Sequence, residues 1–317
     1  MAKPRSQVTD YLVYLAVRFL VCALQALSFE AARTVGRGLA WLAYRIDKRH
    51  RLAAGDNLRH AFPGRYADGE IDRLVRSVYR HFCNLLMEII HLPRMLHPYN
   101  WRQFMELADG KVVDAMLSDQ PTMLVTGHIG NWELSSYVLG LLGFRTHAIA
   151  RPLDNPYLDA YLHRFREATG QKILSKHGDF ERIREVLTSG GVLGTLADQD
   201  AGGRGLFVDF FGRPASTHKA VAILALEYRV TSVVIGAYKV AEPMRYRAVV
   251  EDVIRPDEYD GRPDAIKAIT QRFTSGIERL ARRAPEQYFW LHRRWKHQPL
   301  PRKVQRSKDE ARQKEVA

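Results

Sequence analysis

Between residues 120 and 260, strand-like and helix-like segments alternate, and this alternation constrains the fold more than any other feature. Short runs of apolar and β-branched residues predict strands at 122–126, 146–150, 172–174, 192–197, 232–240 and 246–254. Predicted helices lie at 130–142, 156–168, 179–188, 216–229 and 263–283, and a short helix is expected before them at 101–118. Such alternation is typical of α/β proteins with a parallel sheet. We therefore expect an α/β fold with a mixed, largely parallel central sheet flanked by helices.

The composition limits the classes of function that remain. The 317 residues are 46% hydrophobic and 26% charged, close to the globular average, which excludes a fibrous or disordered chain. Two cysteines cannot form a disulfide framework. Lys and Arg number 48 against 35 Asp and Glu, giving a net charge of +13. This excess predicts an anionic partner, which could be a nucleic acid, an anionic membrane, or an acidic protein or substrate.

The N-terminal segment carries both an apolar run and a basic block. Residues 11–29 contain one charged side chain, Arg18, and are just long enough to span a bilayer. Because a central arginine opposes a simple span, we expect a shallow or tilted membrane helix, with a buried helix of a soluble protein as the alternative. Residues 33–65 carry eight Lys or Arg against two Asp, which suits an anionic leaflet on the cytoplasmic side.

These features suggest three parts in the chain. The first is a membrane-associated helix at 1–32, and the second is a catalytic α/β domain at 33–298. The third is a disordered basic tail at 299–317, because no periodicity extends beyond Pro299.

The turn after the first predicted strand reads Gly-His-Ile-Gly-Asn-Trp-Glu, at residues 127–133. Sites in open α/β sheets form beyond the carboxyl ends of strands, which is where His128 stands. A loop could fold His128 back toward Glu133, whose carboxylate would then support the imidazole as a general base. The alternatives for His128 are a helix cap or a metal ligand, although no second ligand follows at helical spacing. No Ser or Cys stands at a nucleophile position here, which favours direct attack by a substrate group.

Other polar side chains also follow predicted strands. Arg151 follows the strand at 146–150, and Asp198 and Asp200 follow the strand at 192–197. Because these strand ends meet at one edge of a parallel sheet, a shared cleft with His128 is expected. Phe207 and Phe211 could form an apolar wall for an acyl chain or belong to the core.

The C-terminal run Trp-Leu-His-Arg-Arg-Trp-Lys, at residues 290–296, mixes aromatic and basic side chains. Its Arg293 and Arg294 could bind lipid phosphates, and the aromatic residues beside them could stack nucleic-acid bases. An ordinary surface helix end is the third possibility.

These elements occur together and in order in one family. The chain resembles the late acyltransferases of lipid A biosynthesis, the lauroyl and myristoyl transferases of the lysophospholipid acyltransferase superfamily. The similar stretches are YLVYLAVRFL at 11–20, NLRHAFP at 57–63, GHIGNWE at 127–133, RPLDNP at 151–156, DQD at 198–200, FVDFFGRPAST at 207–217 and WLHRRWK at 290–296. Many superfamily members have Asp where this chain has Glu133, which resembles the lipid A branch and the mannoside acyltransferases.

The resemblance implies an enzyme at the cytoplasmic face of the bacterial inner membrane. It would move an acyl group from acyl carrier protein to a hydroxyl of a lipid A precursor, without a metal or other cofactor. His128 would be the base with Glu133 as its partner, unless Asp198 takes that place, and Arg151 would hold the thioester oxygen or a phosphate. Asn131, Trp132, Asp200, Phe207, Phe211, Arg293 and Arg294 would contact substrate.

Two other hypotheses remain at this stage. One keeps the acyltransferase but changes the acceptor to a lysophospholipid or a glycosylated phospholipid. The other is a nucleic-acid-binding protein, suggested by the net charge and by the aromatic and basic run at 290–296. No nucleic-acid-binding motif is present and the basic residues concentrate beside the apolar segment, so we expect no nucleic-acid partner.

Overall fold

The computed structural model describes residues 6–108, 110–117, 120–175 and 178–299. Its helices are α1 (Gln7–Ala26), α2 (Phe29–Ile46), α3 (Lys48–Ala61), α4 (Asp68–Met95), α5 (Lys111–Leu117), α6 (Trp132–Leu141), α7 (Pro156–Glu167), α8 (Phe180–Thr188), α9 (Ala220–Glu227) and α10 (Ala265–Arg283). Its strands are β1 (Met105–Leu107), β2 (Thr122–Thr126), β3 (Thr146–Ala150), β4 (Lys172–Ser175), β5 (Val192–Leu196), β6 (Leu206–Phe210), β7 (Arg213–Thr217), β8 (Thr231–Ala241) and β9 (Arg245–Ile254).

One sheet organises the described part of the chain. Its seven strands follow the order β1-β9-β8-β2-β5-β3-β4, and β8 and β9 form its antiparallel pair. The pairs β1–β9, β2–β8, β2–β5, β3–β5 and β3–β4 are parallel. The predicted α/β fold with a mixed, largely parallel sheet is therefore confirmed.

Helices cover both faces of this sheet, because its central strands are apolar on both sides. Met123 and Val125 of β2 point into the main core, which α8, α9 and α10 close with residues such as Phe273 and Ile277. On the other face, Leu134 and Val138 of α6 pack with α4. This second face also carries the cavity described below.

The four N-terminal helices pack onto the sheet domain. Of the described helices, α1 is the one long and apolar enough to cross a membrane by length and composition. It nevertheless contacts the protein along its length. Asn155 donates to the Asp10 carbonyl (2.9 Å), Arg18 lies 4.6 Å from the Tyr161 ring centroid, and Gln25 donates to the Ile90 carbonyl (2.9 Å).

Two local predictions are wrong. Residues 216 and 217, expected to start a helix, end strand β7, and α9 begins only at Ala220. The reason is a β6–β7 hairpin in which Phe211 (φ 56°) and Gly212 (φ 76°) form a two-residue turn with both φ values positive. The expected short helix at 101–118 is divided into a 3-10 turn, β1 and α5. Most of the predicted tail, residues 300–317, lies outside the described residues.

Candidate active site

The register of the central strands brings His128 and Asp198 together. In the parallel β2–β5 pair, Thr126 stands opposite Leu196, an offset of 70 residues. His128 and Asp198 each follow their strand by two residues and keep the same offset. Two chain segments that leave a sheet side by side thus place these side chains opposite each other.

A two-point contact joins the pair. The Nδ1 atom of His128 lies 2.7 Å from Oδ1 of Asp198, and the backbone N–H of His128 donates to Oδ2 over 2.8 Å. Because the carboxylate can only accept, Nδ1 carries the proton and Nε2 of a neutral His128 has the free lone pair. The Asp198 side chain is buried and that of His128 is 19% exposed, which leaves Nε2 as the nitrogen available to a substrate.

The two groups shift each other's pKa. Burial acts to lower the pKa of His128, but the charge of Asp198, its hydrogen bond and the charge of Glu133 outweigh burial and raise it above 6.5. Burial likewise acts to raise the pKa of Asp198, yet His128 holds it below 3.8. The pair is therefore built to stabilise an imidazolium next to a carboxylate.

Glu133 has a different partner. Its carboxylate accepts from Nη2 (2.5 Å) and Nε (3.1 Å) of Arg166 on α7, a bidentate ion pair. The expectation that the loop folds His128 back toward Glu133 is corrected, because the hydrogen bond at Nδ1 is made by Asp198. Glu133 acts on His128 through its charge alone. Arg166 was missed in the sequence because it lies within a predicted amphipathic helix, without a motif to mark it.

An apolar cavity begins next to this site, between α6 and the sheet. The empty space between its lining residues, together with the open solvent that adjoins it, is about 1250 Å³. Trp132 and Glu133 line it at the start of α6 and Leu142 at its end, and small residues such as Ala148 and Gly194 form its floor on the sheet. Among the described lining residues, Glu133 and Arg166 are the charged ones. The cavity fits a long aliphatic chain better than a polar ligand.

The turn that carries His128 is held against β8. Gly130 has φ +56°, and a Cβ atom there would lie 1.7 Å from the Ala237 carbonyl oxygen, so glycine is required. Asn131 accepts from the Leu134 N–H over 2.8 Å and thereby caps α6. The Trp132 ring packs edge-on against His128, with the centroids 5.0 Å apart.

Several residues expected at the site lie elsewhere. Arg151 is 79% exposed and stands 3.5 Å from Asp154, so the structure does not bring it to His128. Asn131 is fully buried, and its side chain serves the backbone of α6. Phe211 is in the core, against the rings of Phe62 and Trp290. Phe207 lies on β6, outside the residues that line the cavity.

The C-terminal arginines also differ from each other. Arg294 is 3% exposed and donates to the Ser216 carbonyl and the Thr217 hydroxyl, so it joins the segment at 290–296 to β7 instead of facing a ligand. Arg293 is exposed. Asp200 accepts from the Gly202 N–H, and its carboxylate lies 2.6 Å from Nδ1 of His297. This is a second histidine–carboxylate pair, and its acid is on the loop that also carries Asp198.

The basic block at 33–65 is partly neutralised. Arg33 is paired with Glu30 and Glu242, and Arg59 is paired with Asp56 and Asp68.

Across the described residues, no group of three or more His, Cys, Asp or Glu could hold a metal ion.

Comparison with known proteins gives consistent matches over most of the chain. The family model of the bacterial lipid A biosynthesis acyltransferases matches residues 1–297. The lipid A biosynthesis lauroyltransferase of Escherichia coli (strain K12) is 24% identical over 299 residues, which are 91% of this chain and 92% of that protein. The lipid A biosynthesis palmitoleoyltransferase of the same organism is 23% identical over 269 residues, 84% of this chain and 85% of that protein. A phosphatidylinositol mannoside acyltransferase of Mycolicibacterium smegmatis is 26% identical over 160 residues, 49% of this chain and 53% of that protein.

Proposed function

Because the chain belongs to the family of bacterial lipid A biosynthesis acyltransferases, we propose that it transfers a fatty acyl chain from acyl carrier protein to a hydroxyl of a lipid A precursor. The observation that carries this proposal is the His128–Asp198 pair beside an apolar cavity, which its neighbours Ile129, Trp132 and Leu196 line. The pair supplies a base, and the cavity supplies a place for the acyl chain.

The reaction needs a base because a hydroxyl is a weak nucleophile at neutral pH. Nε2 of His128 takes the hydroxyl proton as the oxygen attacks the thioester carbonyl, and Asp198 stabilises the imidazolium that forms. The tetrahedral intermediate then expels the carrier thiol, which receives the proton from Nε2, and the new ester leaves. The enzyme itself forms no covalent bond to the acyl group.

Arg166 takes the electrostatic role first expected of Arg151. Two nitrogens of its guanidinium bind Glu133, which fixes the group at the cavity wall. We propose that this guanidinium, which lines the cavity beside Glu133, donates to the developing oxyanion, an effect worth about 3 kcal/mol in comparable sites.

The membrane surface is formed by α1 and α2 together. Exposed apolar side chains on both helices include Leu12, Leu15, Phe19, Leu20, Leu39, Trp41, Leu42 and Ile46. Since α1 is fastened to the domain along its length, we propose that both helices lie in the interface of the cytoplasmic leaflet of the inner membrane and that α1 does not span it. Arg45, stacked on Trp41 with its guanidinium 4.7 Å from the ring centroid, suits the headgroup level.

An in vitro acyl transfer assay tests the proposal. Wild type and His128→Ala are incubated with lauroyl acyl carrier protein and a lipid A precursor in mixed micelles, with His97→Ala, an exposed loop histidine, as the matched control. We expect His128→Ala to lose about 10²–10⁴-fold in rate while remaining folded. Full activity of His128→Ala would refute the assigned base.

A second candidate keeps the chemistry and changes the acceptor. The similarity to phosphatidylinositol mannoside acyltransferases over about half of the chain favours a glycosylated phospholipid as that alternative. Mass spectrometry of lipids from a deletion strain separates the two: loss of one acyl chain from lipid A supports the first, and an unchanged lipid A supports the second.

A further inference from the structure

Helix α4 contacts the turn that carries His128 through two buried polar side chains. Nε2 of His81 lies 3.1 Å from the Gly130 carbonyl oxygen, and Oε2 of Glu88 accepts from Nδ2 of Asn131 over 2.9 Å. The two α4 residues are seven positions apart, so they lie on one face of the helix. The turn is thus held from the α4 side at two consecutive residues.

Glu88 is an unusual residue for such a place, because its side chain is 1% exposed. Oε1 accepts from the Lys239 ammonium over 2.5 Å, and Oε2 also accepts from the Tyr246 hydroxyl over 2.7 Å. Together with Asn131, three donors from separate elements converge on the carboxylate. A buried carboxylate that is fully hydrogen-bonded in this way resists displacement, because moving it would leave several buried groups unpaired.

The contact with Asn131 connects this network to the site. The Asn131 side chain has its nitrogen on Glu88 and its oxygen on the Leu134 N–H, so both ends of the amide are fixed. The next two residues, Trp132 and Glu133, are the ones that pack on His128 and line the cavity. Loss of the carboxylate frees the Asn131 amide to rotate away from the helix end.

His81 is suited to a neutral hydrogen bond. Burial lowers the pKa of His81 to about 4, so the ring is uncharged near pH 7 and its Nε2–H donates to Gly130. A neutral donor fixes the carbonyl without adding a charge beside His128.

We propose that Glu88 and His81 are positioning residues, which hold the 127–131 turn so that His128 stays aligned with Asp198 and with the adjacent cavity. The inference rests on the proposed role of His128 as base. Neither residue contacts the cavity, and both act through Gly130 and Asn131.

The test compares Glu88→Gln with Glu251→Gln in the acyl transfer assay. Glu251 is a matched control, since its side chain is 7% exposed and its ion pairs with Arg279 and Arg283 lie on β9 and α10. We expect Glu88→Gln to lower kcat by about 10–100-fold with little change in KM for the acyl donor. The rising limb of kcat with pH should also move to lower pH, because a loosened turn weakens the contact of His128 with Asp198. Glu251→Gln should change kcat less than twofold.

His81 gives an independent arm, in case Glu88→Gln does not fold. His81→Gln keeps an N–H donor and should retain most of the activity, whereas His81→Leu should lose kcat at least tenfold while remaining folded. The proposal is overturned if Glu88→Gln behaves like Glu251→Gln, or if His81→Gln and His81→Leu are equally active. The activity of His128→Ala is measured alongside. If His128→Ala is inactive while these variants behave like their controls, the positioning role is refuted and the proposed function stands. If His128→Ala is fully active, the proposed function itself is refuted.

Discussion

Replacing Asp198 by asparagine removes the charge of the pair while keeping its shape, and the geometry dictates the result. Two donors face the side chain, the backbone N–H of His128 at 2.8 Å and Nδ1 at 2.7 Å. A carboxylate accepts both, but an amide offers one oxygen and one donating NH₂ group. As long as Nδ1 carries the proton, one of the two contacts must therefore fail in Asp198→Asn.

The more favourable arrangement has the amide oxygen on the backbone N–H and the NH₂ group on Nδ1. His128 must then carry its proton on Nε2, which removes the lone pair that the reaction needs. The same substitution in a serine protease triad costs about 10⁴-fold in kcat. We expect a loss of about 10³–10⁴-fold for Asp198→Asn at neutral pH.

The pH dependence adds a second observable. Because the pKa of His128 is raised above 6.5, the wild-type rate should rise with pH through a value higher than that of a free histidine. In Asp198→Asn the remaining activity should rise at lower pH. The pair stabilises the fold most between about pH 3.8 and 6.5, where Asp198 is ionised and His128 is protonated, and this contribution declines as pH rises through the pKa of His128.

Steady-state rates from pH 5 to 9 and thermal unfolding at the same pH values measure both effects. Asp260→Asn is the control, since Asp260 is an exposed partner of Arg229 away from the site. If Asp198→Asn retained more than a tenth of the wild-type kcat, or kept the wild-type pH profile, the assignment of Asp198 as the partner of the base would be refuted.

Three further outcomes follow from the site and its surroundings. Glu133→Gln should lower kcat about 10–100-fold, because Arg166 loses its charged partner. The rising limb of kcat with pH, measured by steady-state kinetics, should move to lower pH, because His128 loses a nearby negative charge. Gly194→Leu should lower the ratio of kcat/KM for long over short acyl donors by about tenfold, because the leucine side chain would fill the cavity. The backbone tolerates the change, since the nearest atom to a Cβ at this position would be the His147 carbonyl oxygen at 3.7 Å. An unchanged ratio would argue against the cavity as the acyl site. Trp41→Asp should reduce cosedimentation with anionic phospholipid vesicles several-fold, whereas Phe180→Asp, at an exposed position of α8, should not. Equal binding by both variants would exclude the α1–α2 surface.

Local patterns predicted most of the elements, because apolar periodicity depends on residues that are close in the chain. The strand at 122–126 and the helix at 156–168 are within a residue of β2 and α7. The β6–β7 hairpin was missed because its turn places Phe211, a residue rarely found there, at positive φ. The buried role of Arg294 depends on β7, which that missed hairpin creates.

Glu88 illustrates a signal that the sequence did contain. The apolar stripe of α4 includes Leu85 and Ile89, and Glu88 falls between them, three residues after Leu85. A charged residue on the buried face of an amphipathic helix needs a partner inside the protein. The pattern therefore indicates a buried polar contact at Glu88, although it leaves the identity of Lys239, Tyr246 and Asn131 to the tertiary structure.

The choice between Glu133 and Asp198 as the partner of His128 depends on strand order. Strands β2 and β5 each have five residues, and His128 and Asp198 each come two residues after one of them. Two neighbouring strands in this register would place the two side chains together. However, β3 and β4 lie between β2 and β5 in the chain, while β5 pairs directly with β2 in the sheet. Proximity in sequence favours Glu133, five residues from His128, and only the insertion of β5 next to β2 makes Asp198 the nearer acid. Because Asp198 makes the hydrogen bond to Nδ1, the Glu133 carboxylate is available to bind Arg166. Asp198 therefore supports the base, and Glu133 fixes a cation at the cavity wall.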